Sequence, residues 1–281
     1  MRFVRGVDTR DFSNEWSLLK SFAVSQRSVS IWPRLLLPAV AVAVALAVWW
    51  VLSSTGVFPG TLFPSPADVW AGMSEELRTG RLFDDIVASL FRVVVGFGLG
   101  VLLGVPCGLV LGHNPLARAT FLPGVNFFRS LSPLAWLGFA ILWFGIGDVS
   151  SMFLIFMATF FPMVLATLAA VAGIPSIYFR VARDSDLSGI ELLRRVTLPA
   201  IMPQLVTAFR VTAGIAWVVV VAAEMNGAQE GLGFAIIDAR NALSPDLLVA
   251  NMVVIGLVGV VLDQILARLS RIPSLRWGFE R

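Results

Sequence analysis

The sequence predicts an all-α integral membrane protein, a polytopic bundle of six transmembrane helices with both termini in the cytoplasm. Of its 281 residues, 57% are hydrophobic and 14% are charged, whereas soluble domains average about 45–50% and about 25%. The mean hydropathy is +0.84. These values exclude a disordered chain, a secreted disulfide scaffold and an ordinary cytosolic enzyme.

Six apolar segments are long enough to cross a bilayer. A helix rises about 1.5 Å per residue, so a hydrocarbon core of about 30 Å needs roughly 20 residues. Together the spans define a transmembrane domain over residues 35–268, between a cytoplasmic tail at 1–34 and another at 269–281. The predicted spans are residues 35–52, 87–111, 130–147, 149–177, 203–223 and 247–266.

The distribution of basic residues predicts the orientation. With the N-terminus inside, sixteen of the 21 lysines and arginines fall in cytoplasmic segments and three (Arg78, Arg81 and Arg240) in outer loops. This is the asymmetry of the positive-inside rule. The residues before the first span mix both charges and are too many for a signal peptide, which favours an uncleaved anchor. Residues 16–22 form either a short interfacial helix or part of a loosely ordered tail.

Several kinds of site are excluded by residue counts. Cys107 is the only cysteine and His113 the only histidine, so neither an intrachain disulfide nor a His–His metal motif is possible, and we expect no metal site. The sequence contains no GxxxxGK[ST] phosphate loop, so any ATP chemistry belongs to another subunit. The pI of 9.9 indicates an anionic membrane face rather than a nucleic-acid partner.

The cytoplasmic loop at residues 178–198 is too long and too regular for a simple connector. Apolar residues recur in it at three-residue steps, as on a helix face: Leu187, Ile190, Leu193 and Val196. Ser188 or Asp186 is a candidate N-cap, with Glu191 placed as in a capping box. An apolar ridge on a cytoplasmic helix predicts either docking into a partner's groove or a helix resting on lipid.

Short motifs in a fixed order resemble the inner-membrane permease family of ABC importers. Within it, the chain is most similar to the branch that handles nitrate, sulfonates, taurine and bicarbonate. The resemblance covers about residues 35–268. The matching stretches are residues 89–97 (SLFRVVVGF), 133–136 (PLAW), 143–148 (WFGIGD), 189–199 (GIELLRRVTLP), 209–214 (FRVTAG), 221–225 (VAAEM) and 231–233 (GLG).

This resemblance implies a type I ABC importer permease, a transport subunit and not an enzyme. It implies a second copy of the chain, most simply as a homodimer, around a pathway for a small anion. It also implies two ATPase subunits, which carry the ATP and Mg while this chain binds no cofactor. A periplasmic or lipid-anchored binding protein would deliver the substrate.

The family's cytoplasmic signature, Glu-Ala-Ala, then Gly, then Leu-Pro, is only partly kept. Arg180, Val181 and Asp186 replace the glutamate, first alanine and glycine, while the spacing to Leu198-Pro199 is retained. Aspartate adopts left-handed backbone less readily than glycine, so the loop geometry is in question. The resemblance assigns ATPase coupling to Val181, Ala182, Arg183, Asp184, Ser185, Asp186, Leu187, Ser188, Gly189 and Glu191.

Polar residues within the spans are candidates for the pathway or its gate, because charges facing lipid are costly. Arg92 and Arg210 either attract an anion in transit or form ion pairs, and Asp263 is placed to pair with Arg268 or Arg210. Glu224 ends the fifth span as either an outer gate or a cap. The full set of candidates is Glu224, Arg92, Arg210, Thr212 and Asn251.

Glycines recur every four residues in the second span, at Gly96, Gly100, Gly104 and Gly108. This spacing places them on one helix face and predicts a close packing surface. His113 follows at the inner end and is expected at the membrane interface.

A self-sufficient secondary carrier or a membrane enzyme is the alternative function. A carrier is expected to show inverted repeats and paired ionisable groups at the midplane. An enzyme needs clustered acids, bases or metal ligands. None of these is visible in the sequence.

Overall fold

A computed structural model describes residues 31–56, 59 and 62–269, and throughout them every regular element is helical. By its internal contacts the chain divides into two units, residues 1–57 and 58–281. Residues 16–22, for which the sequence left two alternatives, and residues 270–281 of the tail predicted at 269–281 lie outside the described residues.

The first unit contributes one helix, α1 (Ile31–Ser54). It begins slightly before the predicted span at 35 and contains Pro38. From Leu36 to Ser54 its mean hydropathy reaches 2.3, enough to cross a membrane. Ser53 and Ser54 close the last turn by donating to the carbonyls of Trp50 and Val51, which satisfies helix-end acceptors.

The second unit opens with a short helix and a long one. Helix α2 (Pro66–Thr79) starts in a capping box between Ser65 and Asp68. The two hydrogen bonds from Ser65 hold the pKa of the Asp68 carboxyl below its usual value. Gly80, with φ of 82°, ends α2 and allows the turn into α3 (Arg81–His113).

The third predicted span, at 130–147, is not a single straight helix. The structure has α4 (Pro115–Ser130), a 3-10 turn (Pro133–Trp136) and α5 (Leu137–Phe144). The axis bends by 88° between α4 and the segment after it. Pro133 explains the break, because proline cannot donate to the preceding turn and disfavours helix in the residue before it.

The remaining helices complete the bundle. They are α6 (Asp148–Ala172), α7 (Ser176–Asp184), α8 (Gly189–Leu192), a π-helical turn (Leu193–Thr197), α9 (Leu198–Gly227), α10 (Leu232–Asn241) and α11 (Pro245–Leu269). Among the described residues, five helices are long and apolar enough to cross a membrane, or six if the bent α4–α5 pair counts as one span.

The core of the second unit is the contact of α3 with α6 and of α6 with α9. The predicted glycine face of α3 lies against α6, which confirms it as a packing surface. A Cβ on Gly96 would lie 2.7 Å from Ile155 Cβ, and one on Gly112 would lie 2.8 Å from Val171 Cβ. Because residue numbers rise together on both helices, α3 and α6 run parallel, closer than any side chain on that face would permit.

We predict that Gly108→Ala destabilises the fold. The new Cβ would lie 2.5 Å from Thr167 Cβ and 2.6 Å from the Val164 carbonyl oxygen, and overpacking of this kind costs roughly 1–3 kcal/mol. Thermal unfolding in detergent measures it as a lower Tm. The control is Gly98→Ala, on the same helix with nothing within 4 Å of the new Cβ. Equal Tm values for the two variants would contradict the packing interpretation.

Candidate functional site

A buried ion pair joins α3 to α9 near the ends predicted to face outward. The side chain of Arg92 is 1% exposed and that of Glu224 is 0% exposed. Arg92 Nη1 donates to Glu224 Oε1 at 2.6 Å. Buried charges are tolerated only when paired and hydrogen-bonded, so the remaining donors and acceptors of both groups decide whether this pair is stable.

Glu224 is fully satisfied. Its Oε2 accepts from the Ser89 hydroxyl at 2.8 Å and from the Gly233 N–H at 2.9 Å. Ser89 in turn accepts from the Leu232 N–H at 3.0 Å. These N–H groups open α10, where no carbonyl of the helix itself can reach them. The carboxylate therefore caps α10 and lies where a helix N-terminus favours negative charge.

Arg92 also reaches two further elements. Its Nε donates to Asp148 Oδ1 at 2.7 Å, at the start of α6, and its Nη1 donates to the carbonyl of Glu230 at 2.7 Å. The Glu230 carboxylate lies 3.5 Å from Nη2. One guanidinium thus holds α3, α6, α9 and the loop before α10. We call Ser89, Arg92, Asp148, Glu224 and Glu230 the polar cluster.

Glycines allow the loop to approach the polar cluster. Gly231 has φ of 104°, and a Cβ there would lie 2.5 Å from Arg92 Nη1 and 2.6 Å from Glu224 Oε1. Its N–H donates to Asp85 Oδ1 at 2.7 Å. A side chain on Gly233 would collide with the carbonyl of Val221. Both glycines of the sequence motif Gly-Leu-Gly are therefore required by sterics.

The sequence singled out Arg92 and Glu224 separately, and the structure brings them together. The sequence left open whether Arg92 attracts an anion or forms an ion pair, and whether Glu224 forms an outer gate or caps a helix. The ion pair and the cap are what the geometry contains. Sequence reasoning missed Ser89, Asp148 and Glu230, because nothing local indicates a partner dozens of residues away.

Arg210 and Asp263 form a second pair, between α9 and α11. Two parallel hydrogen bonds join them, Nε to Oδ1 and Nη2 to Oδ2, each 2.7 Å long. Of the partners that the sequence allowed for Asp263, the structure selects Arg210. Both side chains are about half exposed, so this pair differs from the buried pair of the polar cluster.

The two neutral pathway candidates are both buried. Thr212 donates to the Ala208 carbonyl of its own helix at 2.6 Å and contacts Met163 Sδ. Asn251 has no hydrogen bond of good geometry to its carboxamide, although it lies beside the Glu76 carboxyl. Burial raises the pKa of Glu76 above its usual value, an effect that Arg81 and Asn251 partly offset.

The predicted coupling loop folds as two short helices joined by a tight turn. Asp186 takes φ of 53°, the left-handed conformation that glycine provides in the family signature. The Leu187 N–H donates to the Ala182 carbonyl and the Asp186 N–H to the Arg183 carbonyl. This is the Schellman arrangement, in which a left-handed residue ends the helix. Aspartate therefore adopts a left-handed conformation at the position where the resemblance expects glycine.

Two details of the loop differ from the sequence prediction. Ser188 precedes α8, but its side chain makes no capping hydrogen bond, so the predicted capping box is wrong. The apolar ridge is also divided. Leu187 and Val196 line a groove of about 610 Å³ between α7 and the start of α9, whereas Ile190 is 70% exposed. Val181 is also exposed, at the edge of the same groove, as are Ile177 and Tyr178 of α7.

The sequence profile of a family described as "Binding-protein-dependent transport system inner membrane component" matches residues 100–272, more than half of the chain. The taurine transport system permease protein TauC of Escherichia coli (strain K12) is 31% identical over 234 residues, covering 82% of this chain and 85% of TauC. The nitrate import permease protein NrtB of Synechocystis sp. is 32% identical over 248 residues, covering 85% of this chain and 89% of NrtB.

Among solved structures, a chain of the bacterial alginate ABC transporter in complex with alginate pentasaccharide-bound periplasmic protein matches with a TM-score of 0.54. The match covers 93% of this chain and 96% of that chain at 16% sequence identity. At this identity the likeness concerns the fold alone.

We predict that Arg92→Met strongly destabilises the protein, because it leaves Glu224 buried without its countercharge. Breaking a buried pair in this way costs roughly 3–5 kcal/mol. The measurement is the Tm of the purified protein in detergent. Arg210→Met is the matched control, since it removes the same group from a pair whose side chains are about half exposed in this chain, and a much smaller shift is expected. Comparable losses in both variants would show that burial does not set the importance of the Arg92 pair.

Proposed function

Because this chain belongs to the inner-membrane permease family of ABC importers, in the nitrate, sulfonate, taurine and bicarbonate branch, we propose that two copies of it form the pathway for a small anion. ATP hydrolysis drives transport from two separate ATPase subunits. A periplasmic or lipid-anchored binding protein delivers the anion. The observation that carries this proposal is the similarity to TauC and NrtB over more than four fifths of the chain.

The division of labour follows from what the chain holds. It has no phosphate-binding loop, so ATP and Mg belong to the partner ATPases. A periplasmic partner is supported by the description of the family as binding-protein-dependent. The bacterial inner membrane is the corresponding location, with the residue 178–198 loop on the cytoplasmic side.

We place the ATPase contact on the exposed cytoplasmic surface formed by α7, the turn and α8. Arg183, Ser185 and Ser188 are exposed there beside Val181 and Ile190. Ala182 is buried and supplies a carbonyl to the turn, so it shapes the surface rather than touching the ATPase. The remaining coupling residues of this surface are Asp184, Asp186, Leu187, Gly189 and Glu191.

We assign the pathway candidates two different roles. The polar cluster of Arg92 and Glu224 closes the outer end by holding α10 across α3 and α9, and it moves as a unit when the pathway opens. Arg210 is half exposed near the inner end and keeps part of its charge available to an anion, beside Asp263. Thr212 and Asn251 pack between helices in the state described here.

Reconstitution tests the proposal as a whole. We expect liposomes holding the permease and its ATPase, with the binding protein outside, to take up one of nitrate, bicarbonate, taurine or an alkyl sulfonate only when ATP is supplied to the ATPase side. The readout is substrate-stimulated ATP hydrolysis together with uptake of labelled substrate. Uptake by the permease alone, without ATP or partners, would instead establish a self-sufficient carrier.

Crosslinking tests the coupling surface. In a Cys107→Ser background, we expect single cysteines at Ser188 or Ser185 to crosslink to the co-expressed ATPase, because both side chains are exposed on the turn. The readout is a permease–ATPase band on a non-reducing gel. A cysteine at Ser53, which the orientation places at the outer end of α1, is the control and should give no band. Absence of a band at both turn positions in every nucleotide state would contradict the docking assignment.

Ile190→Asp is the functional companion to the crosslinks. Since Ile190 is 70% exposed, the change should leave insertion and Tm intact while abolishing substrate-stimulated ATP hydrolysis. Normal stimulation in this variant would show that Ile190 is outside the contact.

A further inference from the structure

The backbone between α8 and α9 is poorly stabilised by helical hydrogen bonds. It begins as a π-helical turn, Leu193–Thr197, in which the Leu198 N–H donates to the Leu193 carbonyl. Pro199 and Pro203 follow and have no N–H, so the carbonyls of Arg195 and Pro199 lose the donor that a regular helix would supply. Helices bend where such bonds are missing. Residues 189–227 form one continuous span, and the segment 193–203 is the part of it with the fewest helical hydrogen bonds, where bending costs least; we call this segment the hinge.

One side chain from another helix contacts this hinge through a polar bond. His113 ends α3, with Nδ1 2.9 Å from the Leu109 carbonyl oxygen and Nε2 3.0 Å from Thr197 Oγ1. A carbonyl only accepts, so Nδ1 carries the proton and donates. In the neutral ring Nε2 then accepts from the Thr197 hydroxyl. The His113 ring also meets Phe179 of α7 edge-on, with ring centroids 6.2 Å apart.

The Thr197 hydroxyl behaves differently from other threonines in these helices. Thr159, Thr207 and Thr212 each donate to a carbonyl four residues earlier in their own helix. Thr197 is 0% exposed, yet its hydroxyl bonds to α3. A buried hydroxyl used in this way ties two elements together.

On the other side of the His113–Thr197 hydrogen bond, His113 belongs to a rigid pair of helices, α3 and α6. The glycine face holds α3 against α6 so closely that a Cβ on Gly112, next to His113, would clash with Val171. Because packed interfaces of this kind shift as units rather than deforming, a displacement delivered to His113 moves α3 and α6 together.

We infer that the His113–Thr197 hydrogen bond is a latch that transmits the movement of the coupling surface to α3 and α6. Without it, the hinge bends and absorbs the movement before it reaches the membrane helices. His113 and Thr197 are thus positioning residues for transport. The inference rests on the proposed function, since it requires an ATPase that moves the coupling surface.

The latch predicts uncoupling rather than unfolding. Thr197→Val keeps the shape of the side chain and removes the hydroxyl. The apolar contacts of this region, among them Phe179, Leu198 and Ile201, remain to hold the fold. In the complete reconstituted complex, we expect ATP hydrolysis to continue while substrate transported per ATP falls several-fold.

Two variants serve as controls. Thr197→Ser restores the hydroxyl and should restore the ratio of transport to hydrolysis. Thr207→Val makes the same change in α9 at a hydroxyl bonded to its own helix, and should leave the ratio unchanged. A wild-type ratio in Thr197→Val, or an equal fall in Thr207→Val, overturns the latch.

A second approach breaks the same bond from the exposed side. His113→Phe keeps a ring against Phe179 and removes both nitrogens, so it tests the latch even if the buried Thr197→Val variant folds poorly. The double variant should lose no more coupling than either single variant, because both remove one interaction. Additive losses overturn the latch. A wild-type complex that shows no ATP-driven transport overturns the proposed function itself, and the latch with it, before any variant is compared.

Discussion

The buried hydrogen-bonded pair between Arg92 and Glu224 is the constraint around which the second unit is arranged. A guanidinium with no access to water must have an acceptor for each donor, and here the acceptors come from the start of α6, from near the end of α9 and from the loop before α10. The positions of these helix ends are therefore set by one another. The glycines at 231 and 233 follow from the same requirement, since any larger residue would displace the carboxylate or the loop backbone.

The opposite half of the unit is held together by different forces. In this half, α3, α6 and α9 contact one another through apolar side chains. The glycine face brings the backbones of α3 and α6 almost into contact. The way these helices pack is therefore set by the shapes of their surfaces rather than by charge. The hinge at 193–203 and its bond to His113 are the exceptions, where a polar contact joins a deformable segment to a stiff one. In the proposed mechanism, α3 and α6 move together as a rigid pair, and the segment 193–203 bends where the ATPase acts.

Features that depend on near neighbours in the sequence were predictable. The glycine face was read from its four-residue spacing, and most of the apolar helices from hydropathy. The left-handed turn at Asp186 was recognisable as a point of conflict, although only the structure showed that aspartate accepts it. Features that depend on distant partners were not predictable. Arg92 pairs with a carboxylate 132 residues away, a partner that no local pattern records. The missing cap at Ser188 shows that a matching motif does not guarantee its hydrogen bonds.

The long sequence separation within the polar cluster has a consequence for biogenesis. Arg92 is synthesised well before its partners, since Asp148 follows 56 residues later and Glu224 132 residues later. An arginine without partners is costly within the bilayer but tolerable where its long side chain can reach the water boundary. The newly synthesised α3 is therefore expected to take a temporary position in which Arg92 is hydrated at the membrane surface, until α9 has been inserted. Chains that stop before α9 would lack Glu224 and Glu230, and of the carboxylates in the polar cluster Arg92 would keep Asp148 alone.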